Sequence, residues 1–203
     1  MMRVLASGST ALLVELDDLA QVLALYAALA DEVPEGVVDI VPAARTLLLV
    51  TDPARTSLSA VEAAVRSARP RPGRRDRGEP VEIPVTYDGE DLDEAARLLG
   101  WSADELVRRH TAVEWTVAFC GFVPGFGYLT STGWSSIRRR TSPRTRVPPG
   151  AVALGGEFSG VYPRDAPGGW QLIGRTELPM FDPGREPAAL LRPGVRVRFV
   201  DEG

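Results

Sequence analysis

The sequence predicts an α+β chain of two domains: a small unit at residues 1–87 with the element order of a ferredoxin-like fold, then a mainly-β barrel or sandwich at residues 88–203. Three observations predict this. Up to Val85, short apolar runs and helical patterns follow one another as strand, helix, strand, strand, helix, strand. Beyond about residue 112, period-two alternation replaces helical spacing. Of the chain's 20 glycines and 17 prolines, 17 fall in the 55 residues from Gly121 to Arg175, where short apolar pieces suit a β-rich domain and no helix is expected.

The elements follow in order. Ala11-Leu12-Leu13-Val14 predicts a strand, and Asp17 and Asp18 can cap a helix carrying Leu19, Val22, Leu23, Tyr26 and Leu29 on one face until Pro34-Glu35-Gly36 ends it. Val37 to Val41 and Thr46 to Val50 predict two strands joined through Pro42; Ser59 and Glu62 have capping-box spacing for a second helix; Val81, Ile83 and Val85 alternate as the last strand of the first domain. The run from Arg69 to Gly78 has no apolar side chain to bury and predicts an exposed, mobile connection. It lacks the aromatic residues that stack nucleic-acid bases.

In the second domain, one helix is expected from about Asp91 to Leu99, stopped by Gly100. Another starts at Ser102, with Glu105 three residues on, and ends near His110. Val113, Trp115, Val117 and Phe119 alternate as a strand, as do Val195, Val197 and Phe199 after the Pro193-Gly194 turn.

Composition excludes several chemistries. At 203 residues with 44% hydrophobic and 25% charged, the chain has an ordinary globular profile, and its lack of a long apolar run or secretory signal predicts a cytoplasmic protein that meets no membrane. All 23 basic residues are arginine, so a Walker-type phosphate loop, a Schiff base and a lysine general base are ruled out. One cysteine and one histidine cannot make a Cys/His zinc site, and no metal is expected. A net charge of −4 gives no overall attraction to nucleic acid.

Three segments could carry chemistry. In Gly121-Phe122-Val123-Pro124-Gly125-Phe126-Gly127-Tyr128-Leu129, glycines permit tight backbone while three rings supply rigid faces. Such a loop can line a small-molecule pocket or merely pack as a core hairpin. It is no dinucleotide fingerprint, because Thr130 stands where a third glycine is needed. The second segment places five arginines between Arg138 and Arg146; Arg144 and Arg146, flanked by prolines, suit an anion, while Arg138 to Arg140 are expected in a solvated turn. The third bends at Gly168-Gly169 before Trp170 and ends with Arg175, which, if turned inward, needs an acidic partner or is itself a ligand.

His110 is the lone imidazole. It can serve as a proton carrier, or sit at its helix C-terminus for the dipole or for packing. Cys120, on an apolar strand without a basic neighbour, is expected to be an inert thiol. Asp165 and Asp182 lie in loops, and no spacing singles them out.

At these segments the chain resembles the family of 5-oxoprolinase B subunits, also described as allophanate hydrolase subunit 1 and including the sporulation-kinase inhibitor KipI. The family pattern Gly-Phe-x-Pro-Gly-Phe-x-Tyr-Leu is met at Gly121 to Leu129, Pro-Arg-Thr-Arg-Val-Pro-x-Gly at Pro143 to Gly150, and Pro-Gly-Gly-Trp-Gln-x-Ile-Gly-Arg-Thr at Pro167 to Thr176. Phe181-Asp182-Pro183 and Leu191 to Phe199 continue it.

The resemblance implies a small N-terminal α/β domain followed by a cyclophilin-like β-barrel. It also implies an ATP-using complex in which the B subunit works with the A and C subunits of 5-oxoprolinase to hydrolyse 5-oxo-L-proline to L-glutamate, as half of a shared site. A KipI-like role would instead make a sensor histidine kinase the partner, and an allophanate or urea-type amide substrate is the further alternative. Matched to the motifs, the expected catalytic residues are His110, Arg144, Arg146 and Arg175. Phe122, Pro124, Gly125, Phe126, Tyr128, Gly169, Trp170 and Gln171 are expected to bind substrate. One departure bears on the substrate: where many relatives read Ala-Gly-Gly-Gln-Thr-Gly-Ile-Tyr-Pro, this chain has Gly155-Gly156-Glu157-Phe158-Ser159-Gly160-Val161-Tyr162-Pro163, so an amide becomes a ring.

Overall fold

The computed structural model describes residues 2–71 and 79–203, and the chain divides into two compact units, Met1–Arg74 and Arg75–Gly203. Most of the Arg69–Gly78 connection therefore lies outside the described residues.

The first unit contains β1 (Arg3–Ala6), β2 (Ala11–Glu15), α1 (Leu19–Asp31), β3 (Val37–Pro42), β4 (Thr46–Thr51) and α2 (Leu58–Ser67). Its four strands form an antiparallel sheet in the order β1-β2-β4-β3. Alternation decides what each strand buries: Leu12 and Val14 of β2 and Leu47 and Leu49 of β4 meet Val22, Leu25 and Leu29 of α1 and Val61 and Val65 of α2. Asp18 caps α1 as expected, its carboxylate accepting from the Gln21 N–H at 2.8 Å. The α2 cap is Ser57, which accepts from the Ala60 N–H at 3.2 Å, rather than Ser59; Glu62 pairs with Arg66 instead of closing a capping box.

One expectation is corrected here. The strand Val81–Val85, read as the last strand of the N-terminal sheet, belongs to the second unit, and the compact units divide before it rather than after residue 87. Beside β2 lies β1, joined to it through a hairpin around Gly8. Val81–Val85 pairs in parallel with β13, whose Val197 and Phe199 share a core with Ile83 and Val85, so tertiary pairing overrides the order of elements along the chain.

The second unit contains β5 (Val81–Val85), α3 (Leu92–Leu99), α4 (Ala103–Ala112), β6 (Trp115–Cys120), β7 (Gly127–Thr130), β8 (Arg144–Val147), β9 (Ala151–Gly155), β10 (Phe158–Val161), β11 (Ala166–Gly168), β12 (Gln171–Arg175) and β13 (Arg196–Asp201). Seven strands form a sheet in the order β12-β9-β10-β7-β6-β13-β5, with only β5 and β13 parallel, and β8 and β11 pair separately. The two edges of the seven-stranded sheet meet, because Thr86 and Arg175 exchange both backbone hydrogen bonds at 2.9 Å. The sheet is thereby almost closed into a barrel. Gly174 makes the closure possible, since a Cβ there would stand 2.6 Å from the Thr86 carbonyl oxygen.

The enclosed face carries the larger core, including Ile83, Val85, Trp115, Val117, Leu129, Val152, Leu154, Val161, Ile173, Val197 and Phe199, with Ala95, Ala96 and Leu106 of the helices packed on it. α4 is capped as expected by Ser102, which accepts from the Glu105 N–H at 3.2 Å. No described helix is long and apolar enough to cross a membrane.

Candidate functional site

The other face of the sheet holds a cluster of rings. Phe158 and Gly160 of β10 and Tyr128 of β7 face it, alternating with Ser159, Val161 and Leu129 on the core side; in β6 a register shift between Val117 and Phe119 breaks the expected alternation and turns Phe119 to the rings while Val117 stays in the core. Small residues make room for the rings: a Cβ on Gly155 would lie 2.6 Å from the Trp170 indole, and one on Gly160 would lie 3.0 Å from Phe126 and 3.1 Å from Trp170. Phe126, Tyr128 and Trp170 meet edge to face with centroids 5.1 to 5.6 Å apart, a favoured aromatic geometry.

Phe122 is held differently. The Val123 N–H donates to the Gly121 carbonyl at 2.8 Å, closing a three-residue turn over Phe122, the one described non-glycine residue with positive φ, 68°. Such a backbone costs about 1–3 kcal/mol. It holds the Phe122 ring 54% exposed, edge-on to Phe126 and Tyr162. Gly125 turns the loop back at φ 86°, where a Cβ would strike Phe181 at 2.6 Å, and Pro124 is exposed at the tip.

Polar groups border these rings. Tyr162 lays its hydroxyl on the backbone of Gly168, with only 2.2 Å to where a Cβ would stand. Burial pushes the Tyr128 and Tyr162 phenols up, so both stay protonated and can donate. The Arg139 guanidinium lies 5.7 Å over the Trp170 ring. Gln171 is buried, its amide donating to the Arg138 carbonyl at 3.2 Å while Oε1 has no partner. Gly169 accepts from the Arg140 N–H at 2.7 Å.

The arginines expected to bind anions are not gathered in one place. Arg144, with a side chain 16% exposed, donates from Nη2 to Asp91 at 2.9 Å and Glu90 at 3.0 Å. Arg146 is 73% exposed and makes a two-pronged pair with Asp165. Arg175 does not point inward: it is half-exposed and pairs with Asp88 at 2.9 Å. The expected solvated turn is corrected in part, since Arg138 and Arg139 are exposed but Arg140 turns in to bond Asp91 at 2.6 Å.

His110 stands on the opposite side of β10 from the rings. It is fully buried, with Nδ1 2.7 Å from the Tyr87 hydroxyl and Nε2 2.9 Å from Ser159 Oγ, and it stacks on Phe199 at 4.3 Å. Burial lowers its pKa to about 3, so the imidazole is neutral. Cys120 is half-buried, with Sγ 3.5 Å from the Leu191 carbonyl, and burial pushes its thiol up to about 11. Asp182 accepts from the Gly184 N–H in a turn.

Sequence reasoning missed the segment Asp88-Gly89-Glu90-Asp91, which supplies the acidic partners of Arg140, Arg144 and Arg175. Gly89 lets it lie against β12, where a Cβ would stand 2.4 Å from the backbone of Leu172 and Ile173. The signal was three carboxylates in four residues in a chain whose arginines cluster fifty residues later. On this face Phe122 is exposed and Tyr128 half-buried, while Phe119, Phe126, Phe158, Tyr162 and Trp170 are each 5% exposed or less and pack on one another; the phenol donors and guanidinium charge at the border of the cluster suit a small anion.

Residues 2–191 match the family described as carboxyltransferase domain, subdomain C and D. The chain is 41% identical over 172 residues to the 5-oxoprolinase B subunit of Escherichia coli O157:H7, covering 82% of this chain and 79% of that protein. The crystal structure of TTHA0988 superposes with a TM-score of 0.77 at 37% identity over 96% of this chain, which spans only 40% of that polypeptide. The Kluyveromyces lactis urea amidolyase shares the fold alone, with a TM-score of 0.77 at 16% identity over 98% of this chain and 15% of that one. The chain thus belongs to the carboxyltransferase domain, subdomain C and D, family, on the branch of the 5-oxoprolinase B subunits.

Proposed function

We propose that this protein is the B subunit of an ATP-dependent 5-oxoprolinase, acting in the cytoplasm with the A and C subunits to open 5-oxo-L-proline to L-glutamate. The observation that carries the reading is the 41% identity to a 5-oxoprolinase B subunit across four-fifths of both chains. In this reading the barrel is cyclophilin-like and provides one wall of a site that the C subunit completes.

The wall's chemistry fits the substrate. The lactam ring is flat enough to lie against the exposed Phe122 and the half-buried Tyr128, and its carboxylate is an anion for Arg144. The phenol hydroxyls of Tyr128 and Tyr162, kept protonated by burial, are donors for developing negative charge on the amide oxygen. ATP supplies the driving force for opening a poor electrophile. This chain has no lysine for a Walker-type phosphate loop, and its Gly125-x-Gly127 turn lacks the third glycine of a dinucleotide fingerprint, so its sequence carries neither nucleotide motif. Phe158 packs against Tyr128 and Phe119 where relatives carry glutamine, which makes the wall more apolar and leaves a related cyclic amide as the alternative substrate.

The test is reconstitution. The chain is co-expressed with candidate A and C subunits, and glutamate and ADP are followed from 5-oxoproline. Activity is expected to vanish when this chain is omitted; full activity without it overturns the reading.

A further inference from the structure

Asp91 occupies the N-cap position of α3, yet its side chain makes no capping hydrogen bond. An N-cap aspartate ordinarily stabilises its helix by accepting from an N–H of the first turn. Here the carboxylate is engaged elsewhere. Oδ2 accepts from the Leu172 N–H at 2.8 Å, while Oδ1 accepts from Arg140 Nη1 at 2.6 Å and Arg144 Nη2 at 2.9 Å. The Asp91 N–H donates in turn to the Leu172 carbonyl at 2.9 Å.

Asp91 is only 4% exposed, and a carboxylate so enclosed persists only with strong partners. Burial pushes its pKa up, but the Arg144 bond and the Leu172 N–H outweigh that and hold it below the ordinary value. It is therefore charged at neutral pH.

The two oxygens have separable duties. Oδ2 with the backbone pair pins the segment to β12, a task an asparagine oxygen would do equally well. Oδ1 has no backbone duty and binds only the two guanidiniums. One buried carboxylate between two guanidiniums leaves positive charge in excess, offset only by Glu90, whose side chain is 77% exposed. Arg140 Nε and Arg144 Nη1 are buried without a hydrogen-bond partner, so the pair is not saturated by its own chain. The Arg144 charge reaches the aromatic wall at Tyr162, on whose phenol it bears, and the backbones of Arg144 and Arg140 are tied to Gly168 and Gly169 between Tyr162 and Trp170.

We propose that Asp91 is a positioning residue of the substrate site, fixing Arg144 and Arg140 beside Tyr162 and the Gly168-Gly169 bend so that they meet the anionic group of the substrate. The inference rests on the reading of Arg144 as the carboxylate's partner.

A double-mutant cycle in the reconstituted complex tests it. Asp91→Asn keeps the Leu172 bond and removes the charge. It is expected to raise KM for 5-oxoproline about tenfold with kcat changed less than about threefold, the size of one charge-assisted hydrogen bond. Arg144→Gln is expected to raise KM similarly, and the double variant to raise it well short of the product of the two single effects, because Asp91 acts in part through that arginine and in part through Arg140. A purely structural Asp91 gives the opposite pattern, with the two losses multiplying and kcat and Tm falling together, and that result overturns the proposal. Asp91→Glu, which keeps the charge, is run through the same cycle should the asparagine variant not fold. If the complex proves indifferent to the whole chain, it is the functional reading that fails; if the complex needs the chain but the cycle is additive, the reading stands and the role of Asp91 falls.

Discussion

Because His110 is the chain's one histidine, its buried, neutral state makes a clean prediction about stability and pH. Its folded pKa is depressed to about 3 from 6.5 by burial. Above pH 6.5 both folded and unfolded chains carry a neutral imidazole, and folding has no proton linkage at this group. As pH falls below 6.5 the unfolded chain takes up a proton that the folded chain refuses until about pH 3. Stability is thus present above the unfolded value and is lost as pH falls toward the folded one, with a slope of about 1.4 kcal/mol per pH unit. By about pH 5 the loss is about 2 kcal/mol. Urea unfolding of wild type and His110→Gln, followed by circular dichroism from about pH 7.5 to pH 5, isolates this term. The variant starts less stable, having lost contacts to Tyr87 and Ser159, but its stability falls less with acidification by that same amount. Equal slopes in the two proteins refute the argument.

Two further perturbations test the packing of the aromatic wall. Gly155→Ala puts a Cβ 2.6 Å from the Trp170 ring and is expected to cost about 1–3 kcal/mol, lowering Tm by several degrees and altering tryptophan fluorescence; an unchanged Tm shows that the ring is free to move. Phe158→Gln replaces a ring only 5% exposed with an amide, so Tm should fall, while KM of the complex for 5-oxoproline should drop if the relatives' glutamine touches substrate; an unchanged KM removes that position from the binding surface.

The parts legible in the sequence were those governed by local periodicity. Val22 and Leu29, Val61 and Val65, and the alternating Trp115, Val117, Val197 and Phe199 all declare a buried face by spacing, and Asp18 and Ser102 mark their helix starts. What spacing could not declare was partnership. Val81–Val85 has the same alternation whichever sheet receives it, and β1 is too short and too exposed to signal a strand. Ser57 and Ser59 are both competent caps, and the choice depends on where α2 must begin to bury Val61 and Val65. In the site, the rings of Gly121–Leu129 and Trp170 were visible because aromatics with glycines in a loop are unusual. The direction of each arginine was not. Arg144, Arg146 and Arg175 find carboxylates 53, 19 and 87 residues away, brought near by the β8–β11 pairing for Arg146 and by the segment that runs along β12 for the other two.

Phe158, Ser159 and Gly160 are consecutive, yet they separate the two polar systems of this unit. Phe158 and Gly160 border the ring cluster, whereas Ser159 reaches His110 from the core side, so the strand itself stands between the imidazole and the arginine-bearing face. On the proposed reading, that separation divides labour. The wall contributes stacking, phenol donors and guanidinium charge, and proton transfer to the leaving nitrogen falls to groups outside it. His110→Gln should then change the activity of the complex only through stability: assayed well below its own Tm, the variant should keep the wild-type KM and most of kcat. A collapse of kcat with Tm unchanged would instead make His110 the proton carrier, and would require the strand between it and the rings to open during turnover.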